Sequence, residues 1–108
     1  MVDLKKVKGI CLYPDTVSFK KGIPSLVNLI LSFYKESEIL DYIFVFFGKN
    51  KTQIKMIEIN QDGIWLYEKR LKDGNFILPV VDGNIKIDKK QLIEILNTIA
   101  PKKVRNIV

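Results

Sequence analysis

A chain of 108 residues has room for one domain, and a hydrophobic content of 47% is enough to bury a core without disulfide bonds. With 18 Lys and Arg against 12 Asp and Glu, the net charge is +6. This charge favours an anionic partner such as nucleic acid, a membrane surface or an acidic protein, although soluble lysine-rich proteins carry the same excess. Histidine is absent, which excludes the usual general base and the commonest metal ligand.

The sequence predicts a soluble protein of the cytoplasm. Cys11 is the single cysteine, so no disulfide forms within the chain, as is usual in a reducing compartment. The apolar run after the first lysines is too short for a secretory signal, and the run over residues 23–34 is about half of what a membrane span requires. We therefore expect no membrane partner.

The first third of the chain predicts a strand and then a helix. The strand covers residues 8–13 and ends at Pro14, because proline cannot donate to a ladder. Residues 15–18 form a loop, in which Ser18 is a candidate cap for the following helix. Apolar residues at helical spacing predict that helix up to residue 34, with Pro24 in its first turn.

Residues 43–79 organise the rest of the chain, because apolar, β-favouring runs alternate there with short polar turns. Asp-Gly pairs tolerate the positive φ of tight turns and occur at Asp62-Gly63, Asp73-Gly74 and Asp82-Gly83. Such spacing is typical of a meandering antiparallel sheet, and we predict strands at residues 42–47, 54–60, 64–71 and 76–78. The first of these runs is apolar on both faces, so we expect helices or a partner to cover both sides.

The last third predicts a small strand and a second helix. The strand covers residues 84–87, and Asp88 with Gln91 three positions later forms a capping box. The helix extends to about Ile99, before Pro101, and residues 100–108 form a frayed basic tail. The predicted fold class is α+β: a central antiparallel β-meander sheet with two packed α-helices, in a single domain over residues 1–108 with its core at about 8–99.

Catalytic groups are missing from the sequence, so we expect no enzyme activity. Without histidine, neither a Ser-His nor a Cys-His nucleophile can form within the chain. The carboxylates are scattered along the turns, so we predict no metal site and no cofactor. Gly48-Lys49 is similar to the end of a phosphate-binding loop, but that motif requires glycine where this chain has Ile43.

Basic residues at predicted turns are the best candidates for binding. Lys49 and Lys51 occupy the turn between two strands, Lys55 follows, and Lys69 with Arg70 lies one strand away. These side chains suit contact with the phosphates of nucleic acid. The alternative interpretation is that lysines solvate a hairpin tip and blunt a sheet edge. In an antiparallel meander, a hairpin turn and the far end of the next strand can lie at opposite ends of the sheet. The pattern therefore does not by itself predict a single basic patch.

Two further groups have the same pair of interpretations. Trp65 and Tyr67 are candidate surfaces on which bases stack or a partner binds, or they pack within a strand. Lys20 and Lys21 precede the first helix and either contact phosphates or solvate the chain there.

The sequence also carries a characteristic series of residues between its first strand and Pro79. The series is Pro14, Val17, Lys20-Lys21-Gly22-Ile23, Leu26, Phe44-Val45-Phe46, Lys55, Asp62-Gly63-x-Trp65-Leu66-Tyr67-x-Lys69-Arg70-Leu71, Gly74-x-Phe76 and Pro79. It resembles the TnpB accessory proteins of insertion sequences in the IS-sixty-six group, which are unrelated to the RNA-guided nuclease of the same name. The resemblance covers roughly residues 10–99, and the run from Asp62 to Leu71 is its most specific part.

This resemblance implies a small protein that is encoded beside a transposase and is needed for efficient transposition, while the separate transposase carries the cleavage chemistry. The chain keeps the family's basic pair at Lys20-Lys21. It departs from the family's arginine-rich hairpin turn at residues 49–53, where it has lysines. Arginine binds phosphate in a two-pronged geometry and lysine does not, so we expect weaker nucleic-acid contact at this turn.

The leading hypothesis is therefore a non-enzymatic accessory factor for DNA transposition that binds DNA through basic residues. Those residues are Lys20, Lys21, Lys49, Lys51, Lys55, Lys69 and Arg70. The competing hypothesis is an interaction module that binds the transposase through an aromatic face of the sheet. A third is a folded but inactive copy from a decaying element, for which the altered hairpin turn is the support.

Overall fold

Seven strands and two α-helices make up the part of the chain that the computed structural model describes, residues 4–20, 22–79 and 85–100. In chain order the elements are a 3-10 helix at Leu4–Lys6, β1 (Gly9–Val17), α1 (Ile23–Leu31), a 3-10 helix at Glu36–Glu38, β2 (Tyr42–Gly48), β3 (Gln53–Asn60), β4 (Gly63–Arg70), β5 (Asn75–Phe76), β6 (Ile85–Ile87), α2 (Lys89–Asn97) and β7 (Ile99–Ala100).

The main sheet has the strand order β4-β3-β2-β1-β6. Strands β2, β3 and β4 form the predicted antiparallel meander, with Phe47 opposite Ile54 and Gln53 opposite Arg70. Strand β1 instead runs parallel to β2. Between the two strands, α1 returns the chain to the end of the sheet at which β1 began. The predicted α+β class is confirmed, and the sheet is mixed at this one pair.

The two helices cover opposite faces of the sheet. On one face, Leu26 and Ile30 of α1 pack on Phe44, Phe46 and neighbouring residues of β3. On the other face, Leu92 of α2 joins a cluster formed by alternate residues of the same strands. The residues of that cluster include Ile10, Leu12, Ile43, Val45, Phe47, Ile54, Met56 and Phe76. The two-sided apolar run in β2 is thus buried by helices of its own chain.

Strand β1 does not end at Pro14, as the sequence predicted, but continues to Val17. Its pairing with β2 shifts between Leu12 and Thr16, and its pairing with β6 involves only Ile10 to Leu12. Pro14 therefore lies in an irregular part of the ladder, where its missing N–H costs no regular hydrogen bond.

Helix α1 begins at Ile23 and has Pro24 in its first turn, as predicted, and its N-cap is Gly22. The prediction of Ser18 as the cap was wrong, because Ser18 lies just after β1 and its Oγ accepts from the Lys20 N–H at 3.4 Å. The helix ends at Leu31 instead of residue 34, since Ser32 closes the last turn by donating from its hydroxyl to the Leu29 carbonyl at 2.6 Å.

Helix α2 has the predicted capping box, in which the Gln91 N–H donates to Asp88 Oδ1 at 2.7 Å and Gln91 Oε1 accepts from the Asp88 N–H at 2.8 Å. It ends at Asn97 and not at Ile99, because Ile99 pairs with Phe76 in a separate sheet of β5 and β7. The predicted strand at residues 76–78 is accordingly shorter and lies outside the meander. Asn84 and residues 101–108 lie outside the described residues.

The Asp-Gly turns differ from one another in backbone conformation. Gly74 has a φ of 82°, the left-handed region that the prediction assigned to such pairs. Gly63 does not have a positive φ, because it is already the first residue of β4 and the turn itself consists of residues 61 and 62. The Asp82-Gly83 pair lies outside the described residues.

We expect Gly74→Ala to lower the free energy of unfolding by about 1–2 kcal/mol, because a Cβ disfavours the left-handed region. Chemical denaturation monitored by circular dichroism measures this change. Gly63→Ala is the matched control, since a Cβ there meets no atom within 4 Å, and its effect should stay within about 0.5 kcal/mol. Equal losses in both variants would contradict the conformational explanation.

The single thiol is part of the core. Cys11 is 3% exposed and packs in the cluster under α1. Burial raises its pKa above the ordinary value of 9.0, against smaller opposing effects of a hydrogen bond with Tyr34 and the charge of Lys86. Burial also raises the pKa of Tyr34, and its hydrogen bond with Cys11 adds to that effect.

We expect the free energy of unfolding to fall as the pH rises above about 9, because the folded protein retains a thiol proton that the unfolded chain releases. The contribution is complete below the unfolded pKa and is lost at higher pH. Denaturation at several pH values should show a decline for wild type that is steeper than for Cys11→Ala, by up to about 1.4 kcal/mol per pH unit. Parallel pH profiles would exclude this role of Cys11.

Candidate nucleic-acid interface

Three separate segments meet at one end of the main sheet. Strands β1 and β2 are parallel and finish together, with Val17 beside Gly48, and the β2–β3 turn follows at the same end. Strand β4 returns to it, which places Arg70 opposite Gln53. The sheet therefore gathers predicted basic residues that are far apart in sequence. We call Lys20, Lys49, Lys51, Lys69 and Arg70 the basic end.

An open groove of about 380 Å³ lies at the basic end. Its walls come from the segment after β1, from the β2–β3 turn and from the ends of β3 and β4. The lining residues are Ser18, Phe19, Lys20, Gly48, Lys49, Asn50, Gln53 and Arg70. We call this the basic groove. It presents three cationic side chains together with hydroxyl and amide groups, a combination that suits a phosphate-bearing ligand.

The floor of the basic groove depends on the contact between Phe19 and Gly48. A Cβ on Gly48 would lie 3.1 Å from the Phe19 ring, which is closer than ordinary contact, so glycine allows the ring to rest on the strand. Lys55 Nζ lies over the same ring, 4.7 Å from its centroid. Phe19 is thereby fixed between a backbone and a cation.

Arg70 is oriented by its cross-strand neighbour. Its Nη2 donates to Gln53 Oε1 at 3.3 Å, which uses one donor of the guanidinium group and leaves others for a ligand. Lys20 and Lys49 are exposed on the two other walls of the groove.

Lys55 differs from the other candidate cations. It forms a salt bridge with Glu68 of 3.1 Å, and its side chain is only 11% exposed. With Phe19 beneath its ammonium group, Lys55 supports the groove from inside the fold. Because of this salt bridge, the charge of Lys55 is less available to DNA than the charge of the exposed Lys49. Lys21 lies outside the described residues.

The β2–β3 turn is held in place by the segment after β4. The N–H groups of Leu71 and Phe76 donate to the carbonyls of Thr52 and Lys51 at 2.8 and 2.7 Å. The Asn75 side chain donates to the Asn50 carbonyl at 2.6 Å. Lys51 has a φ of 58°, in the left-handed region that closes the turn. The lysines of the turn are therefore carried by an anchored loop.

Trp65 and Tyr67 do not line the basic groove. Their rings stack at 6.3 Å between centroids, and the Tyr67 hydroxyl donates to Glu58 Oε1 at 3.2 Å. Burial, and then the negative charge of Glu58, raises the pKa of Tyr67. Trp65 is 61% exposed and lies five residues before Arg70 on β4, roughly 17 Å along the strand. We call Ile64, Trp65 and Tyr67 of β4 the aromatic edge. It lies apart from the basic end.

The sequence prediction omitted several residues of the basic groove. Ser18, Phe19, Asn50 and Gln53 belong to it through the pairing of strands and through the path of the chain after β1. The available signal was weak: Phe19 is a lone aromatic residue beside Lys20 in a segment with no helical spacing.

No group of three or more Cys, Asp or Glu side chains within residues 4–20, 22–79 and 85–100 is arranged to hold a metal ion. Among the helices of these same ranges, none is long and apolar enough to cross a membrane.

Comparison with known proteins agrees with the resemblance noted in the sequence. A family model described as "IS66 Orf2 like protein" matches residues 8–106 of the 108-residue chain. The chain belongs to this IS66 Orf2-like family. Membership associates it with the transposition of insertion sequences as an accessory protein, in a family that is not known for enzyme activity.

The chain is also similar to a curated protein whose function its name does not give. The protein "Uncharacterized protein y4hO" of Sinorhizobium fredii (strain NBRC 101917 / NGR234) is 33% identical over 79 residues, which cover 72% of this chain and 69% of the relative. No solved structure matches the chain.

Proposed function

We propose that this IS66 Orf2-like protein is a non-enzymatic accessory factor that binds DNA through its basic groove. The observation that carries the proposal is the convergence of Lys20, Lys49 and Arg70 from three segments onto one open groove. A family associated with transposition supplies the context in which a DNA ligand is the natural anion.

The chemistry of the basic groove suits the DNA backbone better than base edges. Its cations are two lysines and one arginine, and only Arg70 can bind a phosphate with two parallel hydrogen bonds. Ser18, Asn50 and Gln53 add neutral groups that can bond to phosphate oxygens. We expect moderate affinity, strong dependence on salt and little dependence on sequence from this set.

The proposal leaves the chemical steps of transposition to another protein. The chain has no histidine, and Glu68 at the basic end is engaged by Lys55. The single cysteine, Cys11, is buried and forms no disulfide bond, which suits a protein that acts in the reducing cytoplasm.

We expect the double variant Lys49→Ala with Arg70→Ala to bind duplex DNA roughly tenfold more weakly, because each exposed charge contact contributes on the order of 0.5–1 kcal/mol. Fluorescence anisotropy at several salt concentrations should show a slope of log affinity against log salt that is reduced by about 0.9 per lost contact. Lys51→Gly removes another charge while glycine suits the φ of 58° at that position, so its fold should be preserved.

Lys89→Ala with Lys90→Ala is the matched control, since these residues begin α2 beside Gly9 at the opposite end of the sheet and are also exposed. It removes the same net charge. If the control weakens binding as much as the double variant, the attraction is that of overall charge and the basic groove is not the site. Absence of binding by wild type at low salt would refute the DNA proposal.

A second candidate function is binding to the transposase through the aromatic edge. The helices cover both apolar faces of β2, so that strand is not available for docking. The support for this candidate is the exposed side chain of Trp65, which stacks on Tyr67, and that of Ile64, which is 46% exposed. Ile64 and Trp65 project from opposite faces of this edge strand, so apolar surface is exposed on both sides of the edge, and exposed apolar patches are typical of interaction sites.

For this candidate we expect Trp65→Ala to reduce co-purification of the transposase at least about fivefold while salt-dependent DNA binding stays unchanged. Leu31→Ala, which removes an exposed apolar side chain from α1, is the control. Undiminished recovery of the transposase with Trp65→Ala would exclude the aromatic edge as its binding site.

A further inference from the structure

Strand β4 forms one edge of the main sheet, and within the described residues β3 is its only strand neighbour. The Leu71 N–H donates to the Thr52 carbonyl at 2.8 Å, directly beyond the ladder of β3 and β4. Hydrogen bonding alternates along antiparallel strands, so residues at even spacing from Leu71 direct their amides to β3. The amides of Ile64, Leu66 and Glu68 consequently point outward from the sheet.

This edge lacks the usual protection against pairing over its first half. It has eight residues, and Ile64 and Trp65 are 46% and 61% exposed. Proteins commonly blunt exposed edges with charges, prolines or short strands. Here the charges of β4 occur only from Glu68 onward. Residues 63–67 therefore present outward backbone groups that no other strand pairs with in the described part of the chain, and apolar side chains lie beside them.

We propose that the edge of β4 pairs with β4 of a second copy of this chain, in antiparallel orientation about a two-fold axis at Leu66. An axis perpendicular to the sheet keeps each face continuous and joins two five-stranded sheets into one. Residues 63–69 of the two copies then overlap. The outward amides and carbonyls of Ile64, Leu66 and Glu68 form the new ladder, so the bonds to β3 remain intact.

The side chains are self-complementary in this register. Trp65 lies opposite Tyr67 of the second copy, which extends the existing stack into a cluster of four rings. Leu66 meets its own equivalent, Ile64 lies opposite Glu68, and no like charges face each other. An axis at Glu68 would place two carboxylates opposite each other, which disfavours that register. Arg70 lies one position beyond the overlap, where this register brings it next to Asp62 of the second copy, whereas Lys20 and Lys49 line other walls of the basic groove, away from β4.

The aromatic edge is also the surface proposed to bind the transposase. A second copy of this chain is the favoured partner, because β4 is complementary to itself and so supplies both halves of the interface. The proposal does not depend on DNA binding, since the basic groove lies beyond the paired residues. A failure of DNA binding would therefore leave it intact.

The decisive experiment is amide hydrogen exchange on the full chain by NMR, at micromolar and at millimolar concentration, together with sedimentation. We expect the mass to rise toward twice that of one chain at the higher concentration. The amides of Ile64, Leu66 and Glu68 should then exchange at least about tenfold more slowly than at the lower concentration. The amides of Trp65 and Tyr67, which face β3, should be protected at both concentrations and serve as the internal control.

Substitutions at the axis test the register. Leu66→Lys and Leu66→Glu should each remain monomeric, because each places like charges opposite each other, while an equimolar mixture of the two should associate again. Leu31→Lys, at an exposed position of α1, should pair as wild type does. If the Leu66 variants do not fold, Ile64→Pro replaces them, since it removes an outward amide and no bond to β3.

Three results would overturn the proposal. Wild type could keep the mass of one chain at millimolar concentration. It could associate while the amides of Ile64, Leu66 and Glu68 exchange freely. Alternatively, these amides could become protected only when the transposase is added, which would assign the edge to that protein.

Discussion

Strand β2 carries apolar side chains on both faces, and both faces must be removed from water for the chain to fold. Its residues from Ile43 to Phe47 are at most 3% exposed. A simple meander with helices on one side could not achieve this. The chain meets the requirement with two helices. Helix α1 precedes β2 in sequence and covers one face of the sheet, whereas α2 follows the meander and covers the other face.

The position of the basic groove follows from the same arrangement. Because α1 must cross the sheet to cover β2, β1 runs parallel to β2 and ends beside the β2–β3 turn. The segment that leads into α1 thereby brings Phe19 and Lys20 to that turn. The antiparallel return of β4 adds Arg70. The burial of apolar surface thus determines which cations become neighbours, although none of them belongs to the core.

Two surfaces of different chemistry result, at different places on one sheet. The basic end offers charge and hydrogen-bond donors on anchored loops. The aromatic edge offers the exposed Trp65 ring beside outward backbone groups of β4 that pair with no other strand in the described part of the chain. Phosphate contact and strand pairing make different demands, since the first needs accessible cations and the second needs unpaired backbone groups. The two surfaces are separated along β4, since Trp65 lies roughly 17 Å from Arg70 on that strand.

The sequence by itself determined the class of the fold, the meander, the capping box at Asp88 and the family, because each depends on local spacing or on a local motif. It placed β1, the start of α1 and the C-terminal helix to within a few residues. Errors occurred where a long-range contact overrides a local signal, as at Pro14, which a shift in ladder pairing accommodates, and at Ile99, which pairs with Phe76.

Only the tertiary structure decided which candidate residues lie next to each other. Turn lysines and strand residues have no spacing that reports their distance in space, since this depends on strand order and direction. The parallel pairing of β1 with β2 joins Lys20 to Lys49 and Arg70, whereas the pairing of β3 with β4 withdraws Lys55 into a salt bridge with Glu68. Local physics specified the elements, and burial on both faces of β2 specified their assembly.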